Sequence, residues 1–154
     1  NMIPPEDPTS DLTIRPQVRD LSGPRGLPLF KPPYSQLVAF DMHAGDKLWH
    51  VPVGEGPRDH AALRGLELPP LGNYEKLGGP LLTDTLLFIG QGFETNRLGV
   101  YDKDTGEELW WLQLPGRFHA APMTYMAEGK QYIVVAVGGG VSAEEERLLG
   151  LGLR

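Results

Sequence analysis

The segment FDMHAGDKLWH, residues 40–50, is written again as YDKDTGEELWW, residues 101–111. Asp41/Asp102, Gly45/Gly106, Leu48/Leu109 and Trp49/Trp110 are identical pairs, each 61 positions apart. A short apolar run stands before each turn (QLVAFDM, RLGVYDK), and an alternating run follows it (KLWHVPV, ELWWLQL). Apolar alternation on both sides of a Gly-containing turn is the signal of a β-hairpin. In that turn the Asp carboxylate can accept hydrogen bonds from backbone N–H groups of its own turn, and the Gly supplies a positive φ. A second pair of echoes brackets the hairpins: GGPLLTDTLLFIGQG (78–92) and AAPMTYMAEGKQYIVVAVGGG (120–140) both run small, small, Pro, apolar, turn, strand formers, Gly. The repeating unit therefore reads as strand, turn, strand, hairpin, strand.

A repeating four-stranded antiparallel unit of this size cannot bury both of its faces alone and must stack on its neighbours. The expected fold is all-β, a partial β-propeller of about two to three four-stranded blades. Trp49 and Trp110 recur at one strand position, where a large flat side chain can cover the next blade. On this reading Asp41, Gly45, Trp49, Asp102, Gly106 and Trp110 are structural. The polar, Pro/Gly-rich stretch 54–76 is an insertion between units, and residues 37–154 form the blades. Residues 1–36 are an irregular lead-in, because residues 1–34 hold eight of the fifteen prolines and each removes a backbone donor.

Twenty glycines and fifteen prolines in 154 residues favour short strands and many turns over long helices. The length suits one domain or a piece of something larger. A net charge of −6 offers no electrostatic footprint for nucleic acid or an anionic membrane surface. With no cysteine, disulfides, Cys-ligated zinc and a thiol nucleophile are excluded. No run approaches the length of a membrane-spanning helix, and the segment NMIPPEDPTS has neither the basic nor the apolar region of a signal peptide.

The blocks GLPLFKPPYSQLVAFDM, GGPLLTDTLLFIGQG, YDKDTGEELWWLQLPG and PMTYMAEGKQYIVVAVGGG, in this order, resemble the C-terminal third of the membrane-bound glucose, polyol and related dehydrogenases. These are eight-bladed quinoproteins that use pyrroloquinoline quinone (PQQ), and the two hairpins are similar to their tryptophan-docking repeats. The resemblance implies oxidation of a sugar or alcohol C–OH, with PQQ as hydride acceptor, a carboxylate base, and Ca²⁺ or Mg²⁺ polarising the quinone. Electrons would pass on to ubiquinone or a cytochrome, and the location would be periplasmic. The family's catalytic aspartate and quinone-contacting lysine lie in blades upstream of these blocks, so no catalytic residue is assigned here. A non-catalytic propeller scaffold or a truncated product is the rival reading. An arc of blades with uncovered faces is expected to self-associate or to need upstream blades.

By the same resemblance, the turn Val137–Gly140 corresponds to a loop near the quinone. Gly138, Gly139 and Gly140 could let backbone approach a planar ligand, although they could equally just end a strand. Asn1, in the block NMIP, resembles a segment where an Asn reaches the quinone. His60, in RDHAAL, resembles a family R-x-H-P-A-L loop, and His119 precedes the AAPMTY strand. Without metal-ligand spacing, all four histidines are read as loop residues. Asp102, Asp104, Glu107 and Glu108 lack the order of a calcium loop and are read as turn residues; Lys31 is read as a surface charge. Where the family has a closing strand, residues 146–154 read as a weak strand. The competing reading is a short helix opened by a capping box of Ser142 and Glu145.

Overall fold

The computed structural model describes residues 22–74, 78–91, 95–118, 120–138 and 146–152. Two compact units are present, residues 1–30 and 31–154. In the first, Ser22 bridges Pro28 around a single 3-10 turn, Pro24–Gly26.

Among the described residues, the second unit carries nine strands: β1 Gln36–Phe40, β2 Lys47–Pro52, β3 Leu81–Leu82, β4 Leu86–Gln91, β5 Arg97–Asp102, β6 Glu108–Gln113, β7 Met123–Ala127, β8 Lys130–Val137 and β9 Arg147–Gly152. They form three antiparallel sheets, β1-β2, β3-β4-β5-β6 and β7-β8-β9. Among the described residues, the middle sheet has the four strands expected of a blade, the first two and the last three. Residues 147–152 are a strand paired along β8, from Val137↔Arg147 to Tyr132↔Gly152. The proposed capping box, Ser142 to Glu145, lies outside the described residues.

The repeat extends to backbone irregularities. A register shift falls between Ala39 and Phe40 in the first hairpin and between Val100 and Tyr101 in the second, again 61 positions apart. Each shift lies one residue before the turn Asp or its neighbour, where a bulge sharpens the strand's twist into the turn.

Successive residues of a strand face opposite sides, and β4 uses both. Leu87 and Ile89 join Val53, Tyr101 and Leu37 in one cluster, shared with the first hairpin. Phe88 turns the other way and joins Leu98, Val100, Leu114 and Phe118 with Ile133, Val135 and Val137 of the third sheet. The middle sheet is thus a slab between two apolar layers, as stacked blades require. Phe118 holds the second layer together at a point where no larger residue could replace two glycines. A Cβ built on Gly78 or Gly90 would lie 1.8 or 2.0 Å from the Phe118 ring.

Candidate functional site at the loop end of the sheets

The antiparallel order sorts the connections onto two ends. Tight turns 41–46 and 102–107 occupy one end. The connections after β2, β4, β6 and β8, residues 53–80, 92–96, 114–122 and 138–146, leave from the other. Backbone hydrogen bonds tie these connections to β4 and to one another: Gly78 N–H donates to Gly90 O at 2.9 Å, Leu114 N–H to Asn96 O at 2.7 Å, and Gly138 N–H to Arg117 O at 3.0 Å.

At the tight-turn end, the two hairpins use the same chemistry. Asp41 Oδ1 accepts from His43 N–H at 2.8 Å and Ala44 N–H at 3.2 Å. Asp102 Oδ1 accepts from Asp104 N–H at 2.9 Å and Thr105 N–H at 2.8 Å, and from the Thr105 hydroxyl at 3.0 Å. Gly45 and Gly106 have φ of 77° and 75°. Trp49 crosses from the first sheet to the second, its Nε1–H donating to Lys103 O at 3.1 Å while its indole lies on Gly106. Trp110 makes no such bond and is 53% exposed.

The donors around each carboxylate hold its pKa below the ordinary aspartate range. For Asp41 the largest contribution is His43 N–H, followed by Ala44 N–H. For Asp102 it is Thr105 N–H, followed by the Thr105 hydroxyl. A carboxyl more acidic when folded than when unfolded stabilises above its ordinary value of 3.8 and loses that contribution as pH falls through the folded value. The acid limb of a urea-unfolding series should therefore flatten in Asp102→Asn, which keeps an acceptor but cannot titrate. An unchanged limb would remove Asp102 from the acid response.

At the loop end, Gly138 is buried, ends β8 with φ 120°, and lines a cavity of about 310 Å³ with Ala136, Val137, Glu146, Arg147 and Leu148. Gly139, Gly140, Asn1 and His119 lie outside the described residues. His60 caps the 3-10 turn Ala61–Leu63, its Nδ1 accepting from Ala62 N–H at 3.1 Å, which leaves the ring proton on Nε2. His50 departs from the loop reading: it lies on β2 beside Trp49, exposed because the alternation that turns Trp49 inward turns it out. Lys31 is exposed.

Sequence reading missed a polar network on the face of the middle sheet opposite Trp110. Gln91, fully buried, donates from Nε2 to the Tyr101 hydroxyl at 2.7 Å, and that hydroxyl lies 3.4 Å from Glu108 Oε2. Arg97 pairs with Glu108 and stacks on Trp111 at 4.7 Å. Glu108 is therefore a strand residue that neutralises a guanidinium, not a turn residue. Burial raises the Tyr101 phenol above its ordinary value of 10.0, with Arg97 and Gln91 opposing. Burial likewise lowers the Arg97 guanidinium, against the pull of Tyr101 and Glu55. These residues meet only once the register Tyr101↔Glu108 is set.

The insertion 54–76 is closed at its base rather than trailing. Asn73 N–H donates to Val53 O at 2.7 Å, Gly72 N–H to Gly54 O at 3.0 Å, Leu71 N–H to Glu55 O at 3.1 Å, and Gly56 N–H to Asn73 Oδ1 at 3.0 Å. Gly54, Gly56 and Gly72 all have positive φ, and a Cβ on Gly54 would meet the Asn73 side chain at 2.3 Å.

An all-β chain whose sheets repeat one hairpin, stack through two apolar layers and collect the connections after β2, β4, β6 and β8 at one end is an arc of a β-propeller. Residues 5–133 match the PQQ family described as glucose/ethanol/alcohol dehydrogenase, β-propeller domain. The chain belongs to this family. It is 35% identical over 120 residues to quinate/shikimate dehydrogenase (quinone) of Acinetobacter baylyi, covering 74% of this chain and 14% of that protein. It is also 35% identical over 118 residues to quinoprotein glucose dehydrogenase of Escherichia coli, covering 75% of this chain and 15% of that protein. Among solved structures, quinohemoprotein alcohol dehydrogenase from Comamonas testosteroni matches at 31% identity and a TM-score of 0.47, over 67% of this chain and 12% of that one. The chain thus spans about a seventh of the length of these curated relatives.

The family's cofactor is PQQ, a planar tricarboxylate that acts as an electron sink. Around Gly138 the described residues offer glycine backbone, one arginine and one carboxylate. No group of three or more His, Asp or Glu side chains able to hold a metal ion occurs among the described residues. By themselves these residues do not make up a PQQ and metal site, and no reaction step is assigned to them.

Proposed function

We propose that this chain supplies blades of a propeller dehydrogenase that oxidises a sugar, polyol or alcohol and passes electrons to a quinone or cytochrome in the periplasm. The observation that carries the reading is the collection of the 53–80, 92–96, 114–122 and 138–146 connections at one end of three successive sheets, in a chain of this family. In open β-structures, loops gathered at one end of a rigid scaffold are where binding groups are placed. The chain's own part is architectural: it holds Gly138 and its neighbours at that end, while the remaining blades bring the carboxylate base and the metal, Ca²⁺ or Mg²⁺. The half-exposed Trp110 and the free edges of β1 and β9 favour burial against further blades or a second copy.

The test is the particle size of the native product from source cells, with PQQ and Ca²⁺ or Mg²⁺ added and a dye-linked assay on glucose, glycerol and quinate. Dye reduction should travel with a PQQ-binding particle that contains more than this one chain. A lone chain that neither binds PQQ nor reduces the dye would sink the catalytic reading and leave the scaffold.

A further inference from the structure

We propose that the 114–122 connection locks the loop end into one cooperative unit, with Phe118 as the residue that positions Gly138. Ties from each of the other three connections converge on it. At its start Leu114 N–H donates to Asn96 O, and the preceding Gln113 donates from Nε2 to Thr95 O at 2.9 Å and Asn96 O at 3.0 Å, which holds the 92–96 connection. In its middle the Phe118 ring fills the space beside Gly78, and a Cβ on Gly79 would stand 2.9 Å from the Ala121 Cβ, so the end of the 53–80 connection packs along it. On its other side Phe118 forms a β-bridge with Val137, and Arg117 O accepts the Gly138 N–H.

Phe118 thus reaches Gly78 before β3, Gly90 on β4 and Val137 at the end of β8. A buried ring with a glycine on two sides has one place to sit in a close-packed interior. Gly138 has no side chain with which to fix its own position, and its φ of 120° is open to it because it is glycine. Its place is therefore set by the neighbours bonded to it, and those neighbours are set by the ring. Four connections restrained through one pivot present their backbone groups as a single preformed surface, which lowers the ordering cost of binding there.

This deepens the dehydrogenase reading, and rests on it only in treating the loop end as the end where a ligand binds. Amide hydrogen exchange of the chain without PQQ, resolved by residue with NMR at a series of low urea concentrations, tests the lock. In the unaltered chain the Gly78, Leu114 and Gly138 amides should open together, with one dependence on urea that Gly106, bonded to Asp102 O at the opposite end, does not share. Phe118→Leu should speed exchange at all three by about tenfold or more beyond any change at Gly106. Gly90→Ala, which pushes the ring from β4 and leaves 114–122 unaltered, should also speed Gly138 selectively. A side chain that only fills the core would instead lower the stability of the whole unit and speed every slow amide by one factor. Unrelated urea dependences at the three amides of the unaltered chain, or a Gly138 amide that changes no more than Gly106 in either folded variant, would overturn the lock. Should neither variant fold, the unaltered chain decides alone. None of these results bears on PQQ binding or dye reduction, which decide the dehydrogenase reading.

Discussion

Phe118→Ala is expected to cost about 3–5 kcal/mol of unfolding free energy, the usual range for removing a buried phenylalanine that leaves a cavity. Its ring is 6% exposed, belongs to the layer between the second and third sheets, and sits where Gly78 and Gly90 leave space. The same contact predicts that Gly90→Ala is destabilising although it adds a single methyl group. That methyl would stand 2.0 Å from the ring, so the ring must move, at about 1–3 kcal/mol for overpacking. Combined with Phe118→Leu, which vacates the ring, Gly90→Ala should cost less than the two changes summed, since residues in contact couple. Urea unfolding followed by circular dichroism measures all of these. A Phe118→Ala cost below about 1 kcal/mol would mean that the ring does not hold the two sheets together.

The second large effect compares the two hairpin glycines. Gly106→Val places a β-branched side chain at φ 75° and 2.6 Å from the Trp49 indole. The left-handed backbone costs about 1–2 kcal/mol, and displacing the indole adds about 1–3 kcal/mol. Gly45→Val meets the same backbone penalty at φ 77°, but its Cβ has nothing within 4 Å. The difference between the two variants therefore isolates the docking of Trp49. Gly106→Val should also shift Trp49 fluorescence to the red, because the indole would lose its cover and its bond to Lys103 O. Equal destabilisation by the two valines would show that the docking contributes nothing.

Much of this was legible in the residues. The Asp-to-Gly spacing placed both tight turns, because an Asp carboxylate capping its own turn and a glycine at positive φ are local requirements. Apolar and strand-forming runs on either side of turns placed the strands from β1 to β8, because such runs and the turns between them are local patterns. The last strand, β9, was a closer decision: RLLGLG carries two glycines and alternates weakly, and only pairing along β8 fixes it. The candidate site was partly legible. Gly138 could be singled out, but the ties of the 114–122 connection and the Arg97, Tyr101, Glu108 and Gln91 network could not. Those groups are brought together by register and by loop closure, neither of which has a local pattern.

Trp49 and Trp110 draw the line between the two kinds of information. Their local sequences are nearly the same, and so are their turns and the bulges before them. The sequence by itself determined the repeat, the hairpins, the all-β class and the family resemblance, because each rests on neighbours a few residues away. Only the tertiary structure decided that Trp49 lies on Gly106 while Trp110 stays half exposed. It also decided that the insertion folds back on itself and that the connections after β2, β4, β6 and β8 share one end. Burial depends on which distant segment arrives opposite a side chain, and that is set by how whole sheets stack.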